Sequence, residues 1–159
     1  MPKYAKAIMI PTLKTKRLSL RPLSIADRDT MINKIMSDRD VMYWLPRSED
    51  VTTLEGQQEV ASGYITHFTR PWEEVGFGVW AVCIRGAEPE ISETFIGYCG
   101  FIPEQIEGEG PELVYAIGKS MWGKGLVTEA VIACLDWIFI MPKISRVHAV
   151  TTNENKASL

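Results

Sequence analysis

Long apolar runs are missing from this chain. No stretch approaches the roughly 18 residues of a membrane span, so a membrane protein is not expected. Runs of lysine and arginine are missing too, and the net charge is −3, which argues against nucleic acid as a partner. Cysteine is scarce. Cys83, Cys99 and Cys134 are odd in number, widely spaced and set in apolar segments. They read as small buried hydrophobes in a reducing compartment, not as a disulfide framework. No charged-then-apolar leader opens the chain, and a cytoplasmic location is the expectation. His67 and His148 lie far apart, and no Cys/His spacing fits zinc, so no metal is expected. Repeats and low-complexity tracts are absent. At 159 residues the chain is expected to form one domain over 1–159, with 1–14 as a tail, and to bury a core without staples.

The most informative stretch runs from Pro111 to Trp137. Glu112 to Ile117 is rich in aliphatic and aromatic residues and closed by Gly118, which predicts a strand. A helix is predicted from near Gly125. Val127, Ala130, Val131, Cys134, Leu135 and Ile138 recur at helical spacing on one apolar face, and Pro142 stops the run. A helix start exposes N–H groups without partners, and the macrodipole adds positive character there. Gly123 and Gly125 have no side chains to keep an anion away, and Lys124 adds charge. The first carboxylate, Glu129, comes after the opening residues. These features describe a phosphate or pyrophosphate pocket, although two glycines before a helix also make a plain strand-to-helix turn. A P-loop is excluded, because Lys124 lies between the glycines with no Ser or Thr after it. A dinucleotide fingerprint is excluded, because Thr128 stands where a third glycine or alanine belongs.

Elsewhere, Arg17 to Leu23 alternates Leu18 and Leu20 inward against Ser19 and Arg21 outward, a half-buried strand. Ser24 and Asp27 form a capping box before a helix bearing Met31, Ile32, Ile35 and Met36 on one face. Ser37 to Val51 reads as loop. Thr52 and Glu55 suggest a second capping box, for a helix whose stripe is Leu54, Ala61, Tyr64, Ile65 and Phe68. Phe77 to Arg85 is apolar on both faces, so it is expected at the centre of a sheet. Gly86 to Glu93 turns the chain, and Phe95 to Ile102 returns. These strands and the Glu112 strand predict an antiparallel meander. A crossover through the Gly125 helix would lay Val147 to Thr152 parallel beside it. The class is α+β, with helices on both faces of a mixed sheet.

The order of segments carries a resemblance. Tyr115-Ala116-Ile117, then Trp122-Gly123-Lys124-Gly125-Leu126-Val127-Thr128-Glu129-Ala130, then a strand from Arg146, then Asn155-Lys156-Ala157-Ser158 resembles the GNAT family of acetyl-CoA-dependent N-acetyltransferases. Within it the likeness is to the Rim-type branch that acetylates ribosomal-protein N-termini, and it extends from Thr15 to the last residue. Trp122 and Val127 depart from the broad family pattern, which has Gln or Arg first and Gly or Ala last.

The resemblance implies a GNAT fold with acetyl-CoA as acetyl donor and a primary amine as acceptor. Backbone contacts from Tyr115, Ala116 and Ile117 would hold the pantetheine arm. Gly123, Lys124, Gly125, Leu126, Val127 and Thr128 would hold the pyrophosphate, and Asn155 would touch the cofactor arm, with Ser158 a weaker candidate. Free N–H groups at Ile117 or Ala116 would serve as oxyanion donors. Glu112 is the candidate base, acting through a water. An α-amine, with a pKa of about 7.7–8.0, needs less help than a lysine at about 10.4. Tyr98 and Tyr115 are candidate acids or ligands, though more often core aromatics. Met42, Tyr43, Trp44 and Leu45 are candidate acceptor contacts. The resemblance also implies a chain that stops before the family's final helix and two strands, leaving an edge that a homodimer or strand exchange would cover. Two other functions fit the same residues: an idle acyl-CoA-binding domain, or a nucleotide-binding regulatory module.

Overall fold

A computed structural model describes residues 8–46, 51–86 and 93–159. Most of the turn expected over Gly86 to Glu93, and part of the loop before Val51, lies outside them. Five strands follow one another across the sheet in chain order, each antiparallel to the last. They are β1 (Leu13–Lys14), β2 (Leu18–Pro22), β3 (Val79–Ile84), β4 (Thr94–Ile102) and β5 (Glu112–Ile117). The helices are α1 (Arg28–Met31), continued as a π-helical turn over Ile32–Met36, α2 (Arg39–Met42), α3 (Leu54–Glu74) and α4 (Leu126–Ile138). Among the described residues, no helix is long and apolar enough to cross a membrane.

The sheet divides the core in two, which gives the α+β architecture its physical basis. On one face Val79, Ala81, Cys83 and Tyr98 meet Met31, Ile35, Val60 and Phe68 from α1, its π turn and α3. On the other, Leu18, Leu20, Trp80 and Phe101 meet Leu126, Ala130, Cys134 and Ile138 from α4. Central β3 is therefore buried on both sides, as its continuous apolar sequence requires. Trp72, Trp80 and Trp137 pack edge to face with ring centres 4.8–5.5 Å apart. The Trp80 indole N–H donates to the Pro11 carbonyl at 2.8 Å, which ties down the chain before β1. The expected tail over 1–14 thus contributes an edge strand.

Several local expectations shift. The α4 core face centres on Leu126, Ala130, Cys134 and Ile138, with Val127, Val131 and Leu135 flanking it half-buried. The buried row starts at Leu126, one residue before the Val127 from which the apolar row is counted, and runs through Ala130, Cys134 and Ile138 at i, i+4, i+8 and i+12. Ser19 is fully buried because both faces of β2 are covered. The Ser24–Asp27 capping box forms, and Asp27 is further paired with Arg21 at 2.7 Å. The cap of α3 is Thr53 rather than Thr52: its hydroxyl accepts from the Gly56 N–H at 3.0 Å. That register leaves Leu54 outside and turns Val60 inward. The loop after Ser37 contains α2, capped by Asp38.

The largest correction concerns Val147 to Thr152. Instead of a strand, a single parallel bridge joins Glu112 and His148. The Leu113 N–H donates to the His148 carbonyl at 2.8 Å, and the His148 N–H to the Pro111 carbonyl at 3.0 Å. Among the described residues, no further backbone bond links 149–152 to β5. Strand propensity gives extended chain only where a neighbour keeps pairing with it, and here the two segments part after one bridge.

Candidate functional site at the open edge of β5

The parting of the chains builds the site. In β5 the peptide groups alternate sides. Those of Glu112, Val114 and Ala116 pair with β4, and Gly118 continues the pattern with its N–H on the Ile96 carbonyl at 2.9 Å. Those of Leu113, Tyr115 and Ile117 face the opposite edge. Only Leu113 meets the 146–152 segment there. The Ile117 carbonyl accepts from the Trp122 indole N–H at 3.1 Å. Along this edge the Tyr115 N–H and C=O and the Ile117 N–H have no partner among the described residues. A row of unpaired backbone groups is a template for an amide-bearing chain.

This geometry sorts the expected contacts. Tyr115 and Ile117 are the residues whose backbone groups this edge leaves free. Ala116 does not, because its N–H and C=O point at Tyr98 in β4, so its backbone is unavailable both to an arm and as an oxyanion donor. Its side chain lies in the α1/α3 core.

Just beyond Ile117 the chain makes a 3₁₀ turn (Lys119–Met121) and enters α4 through Gly123 and Gly125, both at φ +73°. That left-handed backbone suits glycine. Among the described residues, the amides of Gly123, Lys124, Gly125, Leu126, Val127 and Thr128 have no acceptor within the chain. Glu129 is the first residue whose N–H is used, donating to the Gly125 carbonyl at 3.1 Å. Six successive free donors at a helix start form an anion cradle. Among the described residues, a Cβ on Gly123 would meet nothing within 4 Å, which leaves the space above the cradle open to them.

Glu129 could have spoiled this cradle, and its partners prevent that. Its carboxylate accepts from the Thr15 hydroxyl (2.6 Å), the Arg17 N–H (2.8 Å) and Arg17 Nε (2.7 Å). The Thr15 hydrogen bond, followed by those of Arg17, holds its pKa down to about 2. The charge is thereby turned away from the amides and neutralised. Arg17 also donates to the Lys124 carbonyl at 2.8 Å, which fixes the loop. Beside it lies an open cleft of about 510 Å³ bordered by Lys16, Arg17, Arg85 and Lys124, a positive setting on an acidic protein.

At the far end of β5, Glu112 is about four-fifths buried and stands opposite His148, a residue whose spacing had offered no site. Their adjacency comes from the parallel bridge, which no local motif announces. Tyr98 is a core aromatic. Burial pushes its hydroxyl well above its ordinary pKa, and its ring packs on Phe68 and Tyr64. Tyr115 projects on the α4 side, half-buried. Met42, 1% exposed, belongs to the core and not to an acceptor surface, whereas Tyr43 is 72% exposed and packs edge to face on Trp44. Leu45 packs against the core from its margin. Asn155 precedes a final 3₁₀ turn (Lys156–Ser158) and is half-buried, and Ser158 ends that turn.

Comparison with known proteins agrees with this geometry. Residues 17–159 match the acetyltransferase (GNAT) domain. The chain is 30% identical over 156 residues to the uncharacterized protein YkkB of Bacillus subtilis (strain 168), covering 92% of this chain and 79% of that one. It is 25% identical over 148 residues to the uncharacterized N-acetyltransferase p20 of Bacillus licheniformis, covering 93% and 77%. An acetyltransferase structure from Agrobacterium tumefaciens str. C58 superposes with a TM-score of 0.69 at 27% identity, over 94% of this chain and 79% of that one. With the family's domain matched over residues 17–159 and a relative 30% identical over most of both chains, the chain belongs to the GNAT acetyltransferase family.

Proposed function

We propose that the protein transfers an acetyl group from acetyl-CoA to a primary amine, by direct attack within a ternary complex. The acceptor is a protein N-terminal α-amine, as in the Rim-type branch, or a small-molecule amine. The observation that carries this reading is the continuous track of unused backbone groups, from Tyr115 and Ile117 to the six amides of 123–128. A diphosphate fits the amide cradle, and the amides of a pantetheine arm fit the free N–H and C=O groups of β5. The N-acetyl acceptor class is in keeping with the relative named for that activity.

The chemistry follows from the same residues. Acetyl transfer needs an unprotonated amine and donors for the oxygen that becomes negative. Glu112, at the start of β5, accepts the ammonium proton directly or through a water. The Tyr115 and Ile117 N–H groups are the free donors from which the arm and the thioester oxygen draw hydrogen bonds. Attack by nitrogen then forms the C–N bond, and collapse expels the thiolate.

The test is calorimetric titration with coenzyme A, followed by thiol release from acetyl-CoA against a panel of amines and N-terminal peptides. Binding with amine-dependent release supports the proposal. Binding without release from any amine indicates an idle acyl-CoA-binding domain. Absence of coenzyme A binding overturns the reading of the edge and cradle together.

A further inference from the structure

Among the described residues, one buried nitrogen of His148 has no hydrogen-bond partner. Its Nδ1 lies 3.1 Å from the Gly110 carbonyl oxygen. A carbonyl only accepts, so Nδ1 carries a proton and Nε2 is the basic nitrogen of the neutral ring. Nε2 is buried, without a hydrogen-bond partner among the described residues, 3.7 Å from Glu112 Oε2. The two side chains are only 11% and 18% exposed. Two acceptors facing one another out of water are unfavourable unless a proton comes between them.

The backbone enforces this meeting. The bonds from Leu113 to His148 and from His148 to Pro111 hold residue 148 against the start of β5. Gly110, at φ +75°, lets the approach happen, since a Cβ there would collide with the Arg146 carbonyl. Its own N–H is held by Glu104 at 2.9 Å, which aims its carbonyl at the imidazole. The other charged groups nearby are Glu104, Glu109, Lys143 and Arg146. Arg146 is paired with Glu109 at 3.8 Å, and among the described residues none of these hydrogen-bonds to Nε2.

We propose that His148 is the positioning residue for Glu112 and the place where the acceptor's proton is stored. The proposal rests on Glu112 being the base. The ammonium gives one proton to the Glu112 carboxylate. That proton moves to Nε2 as the pair closes to hydrogen-bond length, leaving an imidazolium beside a carboxylate ready for reuse. The freed nitrogen attacks the thioester carbon, and the C=O electron pair moves to oxygen. Collapse re-forms the carbonyl and breaks the C–S bond. The thiolate takes the second proton lost by nitrogen, and the stored proton returns through Glu112 to solvent, one per turnover. Holding it on His148 keeps Glu112 anionic while the tetrahedral species forms.

The deciding variants are H148N and E112Q, alone and combined. H148N keeps an amide N–H for the Gly110 carbonyl and removes the basic nitrogen. It is expected to lower kcat on the order of tenfold, part of the roughly 10²–10⁴ of general acid–base catalysis, at unchanged KM for acetyl-CoA and unchanged thermal midpoint. Because the two residues act as a unit, the double variant should be no slower than E112Q alone. Wild-type kcat in H148N, or losses that multiply independently, would overturn the proposal while leaving the acetyltransferase reading intact. Unimpaired turnover in E112Q would remove Glu112 as base, and this proposal with it. A measurement that needs no activity is ¹⁵N NMR of the His148 ring. Protonated Nδ1, with an Nε2 signal that moves in E112Q, supports the pair, and an Nε2–H tautomer indifferent to E112Q overturns it.

Discussion

Arg17 Nε lies 2.7 Å from Glu129 Oε2, so the first strand region grips the helix whose opening residues form the anion cradle. This ion pair has two tasks. It anchors α4 against β2, and it withdraws the nearest carboxylate from the helix start.

Replacing Arg17 by Met therefore has two expected effects. Stability falls by about 1 kcal/mol, since the arginine is partly exposed and water screens the pair. Affinity for coenzyme A falls further than stability explains, because Glu129 is left facing the cradle with less compensation. Calorimetric titration beside thermal unfolding separates the two effects.

Acid unfolding reports on the same contact. The Glu129 pKa is lowered to about 2 from an ordinary 4.5. A lowered carboxylate contributes its full stability above the ordinary value and loses it as the pH falls toward the folded one. T15V removes the largest cause of the shift and raises the folded pKa. Its acid-unfolding midpoint, followed by circular dichroism, should move to higher pH. An unmoved midpoint would show that the Thr15 bond is not formed.

Gly125 and Gly123 share a left-handed backbone, and their alanine variants should behave differently. Each costs about 1–2 kcal/mol of strain. G125A also brings a methyl group within van der Waals reach of the Arg17 guanidinium. The G123A methyl group meets none of the described residues within 4 Å, so its loss of coenzyme A affinity would arise from the methyl group entering the space above the amides. Comparing each variant's unfolding midpoint with its dissociation constant checks this.

The cysteines should be silent toward thiol reagents in the native state. Cys83 is pushed up to about 11 by burial. The Cys134 thiol is raised by its hydrogen bond to Cys99, 3.7 Å away, and by burial. All three are free and buried. Titration with an aromatic disulfide should find no reactive thiol until the protein is unfolded, and three afterwards. Fast native labelling would contradict the packing of α4 on β4.

These predictions depend on parts of the structure that were not equally visible in the chain. The glycine pair, the strand before it and the Ser24–Asp27 cap are local signals, set by residues within a few positions of one another, and they sit where the spacing placed them. The apolar rows of β3 and β4 were legible for the same reason. What escaped depends on distant neighbours. Thr52 and Thr53 are equivalent as caps until the face of α3 is chosen by the sheet. Met42 is an aromatic-flanked loop residue in sequence and a core residue in space, because α2 rolls it inward. Glu112 and His148 are 36 positions apart, joined by one bridge that no periodicity encodes. The same bridge shows why Val147 to Thr152 looked like a strand: its composition suits pairing, but its neighbour turns away.

The indole of Trp122 has one more effect through its bond to the Ile117 carbonyl. A bare sheet margin invites a strand from another molecule, which must find donors and acceptors in strict alternation to zip along it. Capping that oxygen breaks the alternation at the end of β5 nearest α4. The margin can still welcome a small guest that needs only a few bonds, yet it is a poor starting point for fibre-like stacking, and W122F should aggregate more readily than the parent in the absence of coenzyme A.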